Sequence, residues 1–328
     1  SDVCSSDLAS TFERIRHLLE DLGPTFIKFG QVLSVRPDLI PEGLMFELRK
    51  LQREVTPLPF EELEPVLSQG LGEDWRELLP ELDPEPLASA SLAQVHAGRL
   101  ADGTAVAVKI LKPGIERTIA TDLDMLRHLA SLLDGHLDVL ESYDLPGMAD
   151  ELSTMLQREL NLERELKNMR TARVNMRDME RIFVPRVHPE ASCRQALPMD
   201  LVDGRHLDDL PDLPDDERRT IARAGLRATL KQVLEDGFFH ADPHPGNLLL
   251  CDDGSVALLD WGMTGRLTRT MRRRLVDLVW ALADGDSEQA TQVLRQIAGP
   301  GGPADEAMER DLLEVMDLMV GVSLANVS

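Results

Sequence analysis

Two hairpin patterns, separated by long helical stretches, limit the folds that this chain can adopt. AQVHAGRL and TAVAVKIL flank Asp102-Gly103, and NLLLC and SVALLD flank Asp253-Gly254. An Asp-Gly pair between strand-like runs is typical of a tight turn that joins antiparallel strands. Apolar residues at helical spacing dominate residues 9–55, 115–137 and 145–176. This order of elements predicts an α+β fold.

The chain is strongly acidic. Its 58 Asp and Glu residues against 35 Lys and Arg residues give a formal net charge of −23. Such a charge disfavours nucleic-acid binding and is repelled on average by an anionic membrane. RLTRTMRRRL, at residues 266–275, is a local exception and is predicted to be a solvated helix face. The 3 cysteines have no paired spacing, which fits a reducing compartment.

The stretch HADPHPGNLLL supports two hypotheses. In the first it is a metal site whose ligands are His240, Asp242 and His244, since alternate residues share one face of an extended strand. Pro243 and Pro245 instead predict a loop. A catalytic zinc usually has three protein ligands on firm elements, and no HExxH or CxxC motif is near. The metal hypothesis is therefore the weaker one.

In the second hypothesis the stretch is the loop of a phosphoryl-transfer enzyme. The pattern HxDxxxxN provides Asp242 to orient the attacking hydroxyl and Asn247 to hold Mg²⁺. A hairpin follows, and then Asp260-Trp261-Gly262, whose carboxylate would bind the metal that bridges the phosphates. A lone DxG is usually just a turn. The three features in this order favour the second hypothesis.

A phosphate-binding lysine is also present. Val106-Ala107-Val108-Lys109 matches the strand motif whose lysine grips the α- and β-phosphates. An unpaired ammonium among apolar neighbours is costly, so a partner is expected. In QRELNLERELKNM, Asn161, Glu165 and Asn168 are predicted to share one helical face, with Glu159 about a third of a turn away. We expect Glu165 to be the partner.

The glycine-rich loop of protein kinases is missing. The segment before the first hairpin reads LASASLAQ, from Leu87 to Gln94. Alanine keeps the small size of glycine but loses its easy access to positive φ. Ser89 and Ser91 could donate hydroxyl hydrogen bonds to phosphates. The loop is therefore predicted to hold a nucleotide in a pose different from that in ordinary protein kinases.

Together with LGPTFIKFGQVLSVRPDLIP upstream, these motifs resemble the UbiB family of atypical kinase-like proteins of ubiquinone biosynthesis, over roughly residues 10–290. The resemblance implies a protein-kinase-like bilobal fold with an N-terminal helical extension. The extension would span residues 9–85, the N-lobe with inserted helices 86–200, and the C-lobe 201–328. In the family, a helix with the motif K-x-G-Q, here Lys28-Phe29-Gly30-Gln31, folds over the active site.

The resemblance also implies ATP or ADP and Mg²⁺ as cofactors. Lys109 would hold the nucleotide, Asn247 and Asp260 the metal, and Asp242 would take the catalytic position. The positions that match the family's site are Lys28, Gln31, Ala88, Ser89, Ala90, Ser91, Leu92, Ala93, Lys109, Glu159, Asn161, Glu165, Asp200, Leu201, Asp242, Asn247 and Asp260. Among them, Asp200 and Leu201 would lie at the hinge against adenine.

One position departs from the family pattern. The family's Glu-x-Asp motif is Glu159-Leu160-Asn161 here. An amide keeps hydrogen bonding but loses charge, which weakens any metal or Lys28 contact at that position.

The resemblance implies an atypical kinase or ATPase that supports isoprenoid-quinone biosynthesis from the cytoplasmic side, at the inner face of a bacterial plasma membrane. Quinone precursors or quinone-biosynthesis enzymes would be its partners, with peripheral membrane contact. A small-molecule kinase resembling aminoglycoside or choline kinases is one alternative, which the K-x-G-Q helix disfavours. A non-catalytic, nucleotide-gated module that presents lipids is another, which Asn161 and the alanine-rich loop leave open.

Both ends of the sequence carry expectations of their own. SDVCSSDL, residues 1–8, lacks an initiator Met and can be encoded by the end of a common short-read sequencing adapter. We expect it to be a translated artefact. The helical pattern DLLEVMDLMVGVSLANVS runs to the last residue, so we expect the C-lobe to be truncated.

Overall fold

The computed structural model describes residues 3–34, 40–51, 56–133, 145–207, 213–298 and residue 312. Parts of the predicted helical patterns, at residues 35–39, 52–55, 134–137, 311 and 313–328, lie outside these residues. The described helices are α1 (Val3–Leu22), α2 (Pro24–Leu33), α3 (Glu42–Leu48), α4 (Phe60–Leu71), α5 (Trp75–Leu78), α6 (Ile115–Leu133), α7 (Leu145–Glu159), α8 (Leu162–Met176), α9 (Asp215–Leu230), α10 (Arg269–Asp284) and α11 (Ser287–Ala298). The described strands are β1 (Glu81–Ser89), β2 (Ala93–Arg99), β3 (Ala105–Leu111), β4 (Ile182–Phe183), β5 (Ala196–Asp200), β6 (Arg205–His206), β7 (Phe238–His240), β8 (Leu248–Leu250), β9 (Val256–Leu258) and β10 (Thr264–Arg266). Helices together with sheets that are antiparallel except for the pairing of β4 with β9 confirm the α+β prediction.

The chain forms two compact units. The first contains described residues from 1–167 and 186–201, and the second contains described residues from 168–185 and 202–328. The units do not follow the order of the sequence, because the chain leaves the first unit inside α8 and returns to it for residues 186–201. No described helix is both long and apolar enough to span a bilayer.

The first unit is built on an antiparallel sheet with the strand order β1-β2-β3-β5. Val106, Val108 and Ile110 of β3 are fully buried and pack with α4 and α5 in one core cluster. Successive residues of a strand point to opposite faces. Lys109 therefore lies on the face of β3 away from this core.

Helices α1, α2 and α3 form a separate apolar cluster within the first unit, as their leucine spacing predicts. Its buried members are Leu19, Ile27, Leu48 and Leu51. At Gly30 on α2, an added Cβ would lie 2.3 Å from Leu51 Cδ1 and 3.0 Å from Leu19 Cδ1. The glycine of the K-x-G-Q motif therefore allows the helices to approach closely.

This unit contains one strand that the sequence did not predict and two helices where one was predicted. Strand β1 was not expected, because Pro84 and Pro86 interrupt its pattern. It lies at the edge of the sheet with register shifts on both sides of Pro86, which is where prolines are tolerated in sheets. The helix predicted over residues 145–176 is two helices, since α7 ends at Glu159 and α8 begins at Leu162.

The second unit contains a small sheet with the strand order β4-β9-β8-β6 and the pair β10-β7. Hairpin β8–β9 is the second predicted hairpin, with Leu248 opposite Leu258, and its Gly254 has a φ of 77°. Helix α9 runs into a π-helical turn, Lys231–Asp236, directly before β7. Such turns often occur beside functional loops.

Candidate functional site

The first unit pairs Lys109 with Glu165. Lys109 Nζ donates to Glu165 Oε1 at 3.0 Å and to Oε2 at 2.8 Å. The Glu165 side chain is only 2% exposed, and that of Lys109 is 17% exposed. A buried carboxylate requires such a partner, because its desolvation is otherwise uncompensated. The partner expected from the sequence is the one that the fold brings to the lysine.

Asn161 has a local role that the sequence did not reveal. Its Oδ1 accepts a hydrogen bond from Arg164 N at 3.2 Å, and its carbonyl accepts from the same amide at 3.0 Å. A side-chain oxygen before the first helical residue satisfies an amide that has no partner within the helix. Asn161 therefore caps α8, the helix that carries Glu165. It does not share a helical face with Glu165, because the helix begins after it.

The K-x-G-Q lysine is also paired. Lys28 Nζ lies 2.9 Å from Glu159 Oε1, and both side chains are largely buried, with 17% and 13% exposed. Lys28 is on α2, and Glu159 is the last residue of α7. Gln31 is half-buried, and its carbonyl accepts a hydrogen bond from Ser34 Oγ at 2.6 Å. The first half of the Glu-x-Asp motif is thus bound to the K-x-G-Q helix.

The alanine-rich loop turns tightly between β1 and β2. Ala90 N donates to Ala93 O at 2.9 Å, which closes the turn. No residue from Ala88 to Ala93 has a positive φ, so this turn does not need glycine. Leu92 and Ala93 are buried, whereas Ala88 and Ala90 are exposed.

Among the loop's polar atoms, the Ser89 hydroxyl is buried and has no hydrogen-bond partner among the described residues. Ser91 is half-buried. A buried hydroxyl without a partner is costly. Ser89 is therefore the loop residue whose side chain has most to gain from a ligand.

At the predicted hinge, Asp200 ends β5 and Leu201 is 42% exposed. His188 Nε2 lies 2.9 Å from Asp200 Oδ1, and His188 Nδ1 lies 3.3 Å from Glu190 Oε1. His188 is 2% exposed. The Asp200 carboxylate is therefore held by a buried histidine, a residue that sequence reasoning missed because nothing in its local pattern marks it.

In the second unit, the HADPHPGN loop is held by its own hydrogen bonds. Asn247 Nδ2 donates to Asp242 O at 3.3 Å, and Asn247 N donates to His244 O at 2.9 Å. His244 Nε2 lies 3.8 Å from Asp242 Oδ2. Backbone and side chain of Asn247 thus both fix the loop that presents Asp242.

His240 contacts this loop through its ring. Its Nδ1 accepts a hydrogen bond from Asp242 N at 3.1 Å, so in the neutral form the proton is on Nε2. Burial lowers the pKa of His240, against the opposing effect of the nearby Asp260 and Asp242 carboxylates. Gln232, in the π-helical turn, accepts a hydrogen bond from His240 N at 2.9 Å. Sequence reasoning did not identify Gln232.

The DWG segment is strained and firmly held. Asp260 has a φ of 27°, and it is the only described non-glycine residue with a positive φ. Its Oδ1 accepts a hydrogen bond from Gly262 N at 3.0 Å. Trp261 is fully buried, its Nε1 donates to Leu258 O at 3.2 Å, and its carbonyl accepts from Asn168 Nδ2 at 2.9 Å. These contacts offset the strain at Asp260.

The loop and the DWG segment lie at the same end of hairpin β8–β9. Leu259 N donates to Asn247 O at 2.9 Å, which continues the strand pairing and brings Asn247 and Asp260 close in the fold. Amide and carboxylate oxygens are donors that Mg²⁺ prefers, and Mg²⁺ commonly takes few protein ligands beside phosphates and water. The residues present therefore fit a magnesium ion.

The zinc hypothesis finds no support. The described residues contain no group of three or more His, Cys, Asp and Glu side chains that could hold a metal ion. His240, one of the residues in that hypothesis, accepts a hydrogen bond from Asp242 N at its Nδ1.

Comparisons with known proteins agree on one family. The ABC1 atypical kinase-like domain matches residues 50–294. A probable protein kinase UbiB of Marinobacter nauticus is 34% identical over 287 residues, which cover 86% of this chain and 52% of that protein. The chloroplastic protein ACTIVITY OF BC1 COMPLEX KINASE 3 of Arabidopsis thaliana is 34% identical over 277 residues, 84% of this chain and 39% of that protein.

Among solved structures, the complex of Rv3197 with erythromycin from Mycobacterium tuberculosis matches with a TM-score of 0.67. It is 26% identical and covers 95% of this chain and 81% of its own. The chain spans 73% of an uncharacterized protein of Synechocystis sp., but about half the length of the UbiB relatives that it matches.

Proposed function

The chain belongs to the ABC1 atypical kinase-like family, and from this membership we propose that it binds Mg²⁺ and ATP and acts as an atypical kinase or ATPase that supports isoprenoid-quinone biosynthesis. The observation that carries the proposal is the buried pair of Lys109 and Glu165. A lysine fixed by a glutamate, on the second strand after the alanine-rich loop, is the arrangement that kinases use to hold phosphates.

Each of the site residues has a separate role in the proposed reaction. Lys109, oriented by Glu165, would bind the α- and β-phosphates as a fixed positive charge. Asp242 would orient the acceptor hydroxyl, or a water molecule in an ATPase, and accept its proton. Asn247 and Asp260 would hold Mg²⁺, which when bound neutralises charge on the phosphates.

The quinone role and the place of action rest on the relatives named UbiB. They favour a lipid quinone precursor, or an enzyme that modifies one, as the partner. We propose that the protein contacts the inner face of a bacterial plasma membrane peripherally from the cytoplasm. Family membership favours this proposal over a small-molecule kinase of the aminoglycoside or choline type.

A non-catalytic, nucleotide-gated lipid-presenting module is the second candidate. The observation that favours it is the role of Asn161, whose uncharged side-chain oxygen already caps α8. A single-turnover measurement of phosphate release from a stoichiometric complex with ATP separates the two candidates. The enzyme is expected to release phosphate as fast as nucleotide binding and lipid transfer occur, whereas the lipid-presenting module is not.

The test of the proposed function is ATP hydrolysis with Mg²⁺, with and without liposomes that contain a quinone precursor. Asp260→Asn is expected to abolish both hydrolysis and the Mg²⁺-dependent thermal stabilisation by ATP. Asp252→Asn, an exposed aspartate in the β8–β9 turn, is the matched control and should retain both. Stabilisation by Mg²⁺ and ATP that survives Asp260→Asn would refute the metal assignment.

A further inference from the structure

Helix α2, which carries Lys28, is tied to α6 by a contact that lies outside the K-x-G-Q motif. Thr25 Oγ1 donates a hydrogen bond to Asp122 Oδ2 at 2.5 Å. Thr25 is fully buried, and Asp122 is half-buried on α6. The two residues are 97 positions apart, so only the tertiary fold brings them together.

The chemistry of this contact makes it an anchor. A fully buried hydroxyl needs a partner, and a hydrogen bond to a carboxylate is stronger than one between neutral groups. Thr25 lies in the first turn of α2, directly after Pro24. The Asp122 carboxylate therefore also faces the positive end of the α2 dipole, which favours a negative charge at that end.

Thr25 and Lys28 are three positions apart on α2, so they lie on neighbouring points of one helical side. From this side Thr25 reaches Asp122, and Lys28 reaches Glu159 at 2.9 Å. The buried residues Ile27 and Gly30 instead pack in the apolar cluster with Leu19 and Leu51. Apolar packing is non-directional, whereas two polar contacts on one side fix how a helix is rotated about its axis.

We propose that Thr25 and Asp122 are positioning residues, which fix the rotation of α2 and thereby direct Lys28 to Glu159. The inference deepens the proposed function, because it rests on Lys28 being part of the nucleotide-handling machinery. It assigns the orientation of the K-x-G-Q helix to a charged residue on α6 that lies outside the motif itself.

The test measures how fast Lys28 is acetylated by an amine-reactive reagent, by mass spectrometry, relative to the exposed Lys167. Thr25→Val keeps the branched shape and removes the donor. Because one hydrogen bond to a charged group is lost, the rate at Lys28 should rise about tenfold. Asp122→Asn keeps an acceptor oxygen but loses the charge, so a smaller increase is expected. Thr25→Ser, which restores the hydroxyl, should return the rate to that of the unchanged protein.

Thr121→Val is the matched control. Thr121 precedes Asp122 on α6, is exposed, and donates within its own helix to Arg117 O at 3.0 Å. Its substitution should leave Lys28 acetylation unchanged. Hydrogen exchange of the α2 amides provides the second measurement and should be faster in Thr25→Val alone.

An unchanged acetylation rate at Lys28 in folded Thr25→Val, or an equal increase in Thr121→Val, would overturn the inference. If Thr25→Val does not fold, Asp122→Asn decides, and no change there has the same consequence. The assay uses no nucleotide, so its result stands apart from the proposed function. If the protein does not hydrolyse ATP but the variants change the reactivity of Lys28, the proposed activity is refuted and the role of Thr25 and Asp122 stands.

Discussion

Glu165 contacts the Lys109 ammonium with both of its carboxylate oxygens, at 3.0 and 2.8 Å, from a side chain that is 2% exposed. The pair joins a β3 residue to the first turn of α8, across 56 positions of sequence. Removing one partner from a buried pair leaves an uncompensated charge, whereas removing both does not.

Lys109→Met is therefore expected to lower the free energy of unfolding by about 3–5 kcal/mol. The double variant with Glu165→Leu should recover much of this loss, because neither charge is then buried. Urea denaturation of the two single variants and the double variant measures the coupling. Additive losses would mean that the two side chains do not form a pair in solution.

Asn168→Leu should destabilise the DWG segment. The substitution removes the donor to Trp261 O, a buried contact of 2.9 Å, and leaves a carbonyl unsatisfied. We expect a loss of roughly 1–3 kcal/mol in the free energy of unfolding. Since Asp260 is strained, the Gly262 amide should also exchange faster with solvent, measured by mass spectrometry. Asn175→Leu, on the same helix, is the control, and an equal effect there would argue against this specific role.

Ala90→Gly tests whether the alanine-rich loop touches phosphates. Ala90 is exposed at the tip of a turn without positive φ, so the loop tolerates either residue, and the stability cost should be about 1 kcal/mol or less. Glycine widens the conformations that the loop can adopt, which should change the ratio of ATP to ADP affinity in calorimetric titrations. If both affinities stay the same, the loop does not contact the phosphates.

Acid should destabilise the protein through two buried histidines. Burial lowers the pKa of both His96 and His240 below the ordinary value of 6.5. At a pH between the lowered pKa of the folded state and the ordinary value, each ring stays without the proton in the fold and takes one up on unfolding. Their contribution to stability is complete above about pH 6.5 and is lost as the pH falls toward the lower pKa of the folded state, by at most roughly 1.4 kcal/mol per pH unit for each histidine.

His96 allows a direct check of this pH dependence. Its Nδ1 contacts Asp83 O at 2.8 Å and its Nε2 contacts the side-chain nitrogen of Gln94 at 3.3 Å, so the neutral ring donates from Nδ1 and accepts at Nε2. The free energy of unfolding, measured by denaturation between pH 7.5 and 5.5, should fall less steeply with decreasing pH for His96→Gln than for the unchanged protein. An identical dependence on pH in both proteins would exclude His96 as a source of the acid destabilisation.

Elements whose signals are local could be predicted from the sequence. Asp-Gly turns fixed the two hairpins, and leucine spacing predicted α1 to α3, because turn chemistry and helical periodicity act within a few residues. The motif spacing also predicts that Lys109, Asp242, Asn247 and Asp260 act as one set, since each motif requires particular side chains at fixed intervals.

Which distant side chains meet could not be predicted in this way, because it depends on how the chain folds. Strand β1 passes through two prolines and exists because β2 provides an edge to pair with. The break between α7 and α8 depends on Leu162 N, which donates to Arg194 O from a distant segment. Thr25 with Asp122 and Asn168 with Trp261 are separated by 97 and 93 positions. Hydrogen bonds across such distances leave no periodic pattern in the sequence, since they depend on burial and direction after the chain has folded.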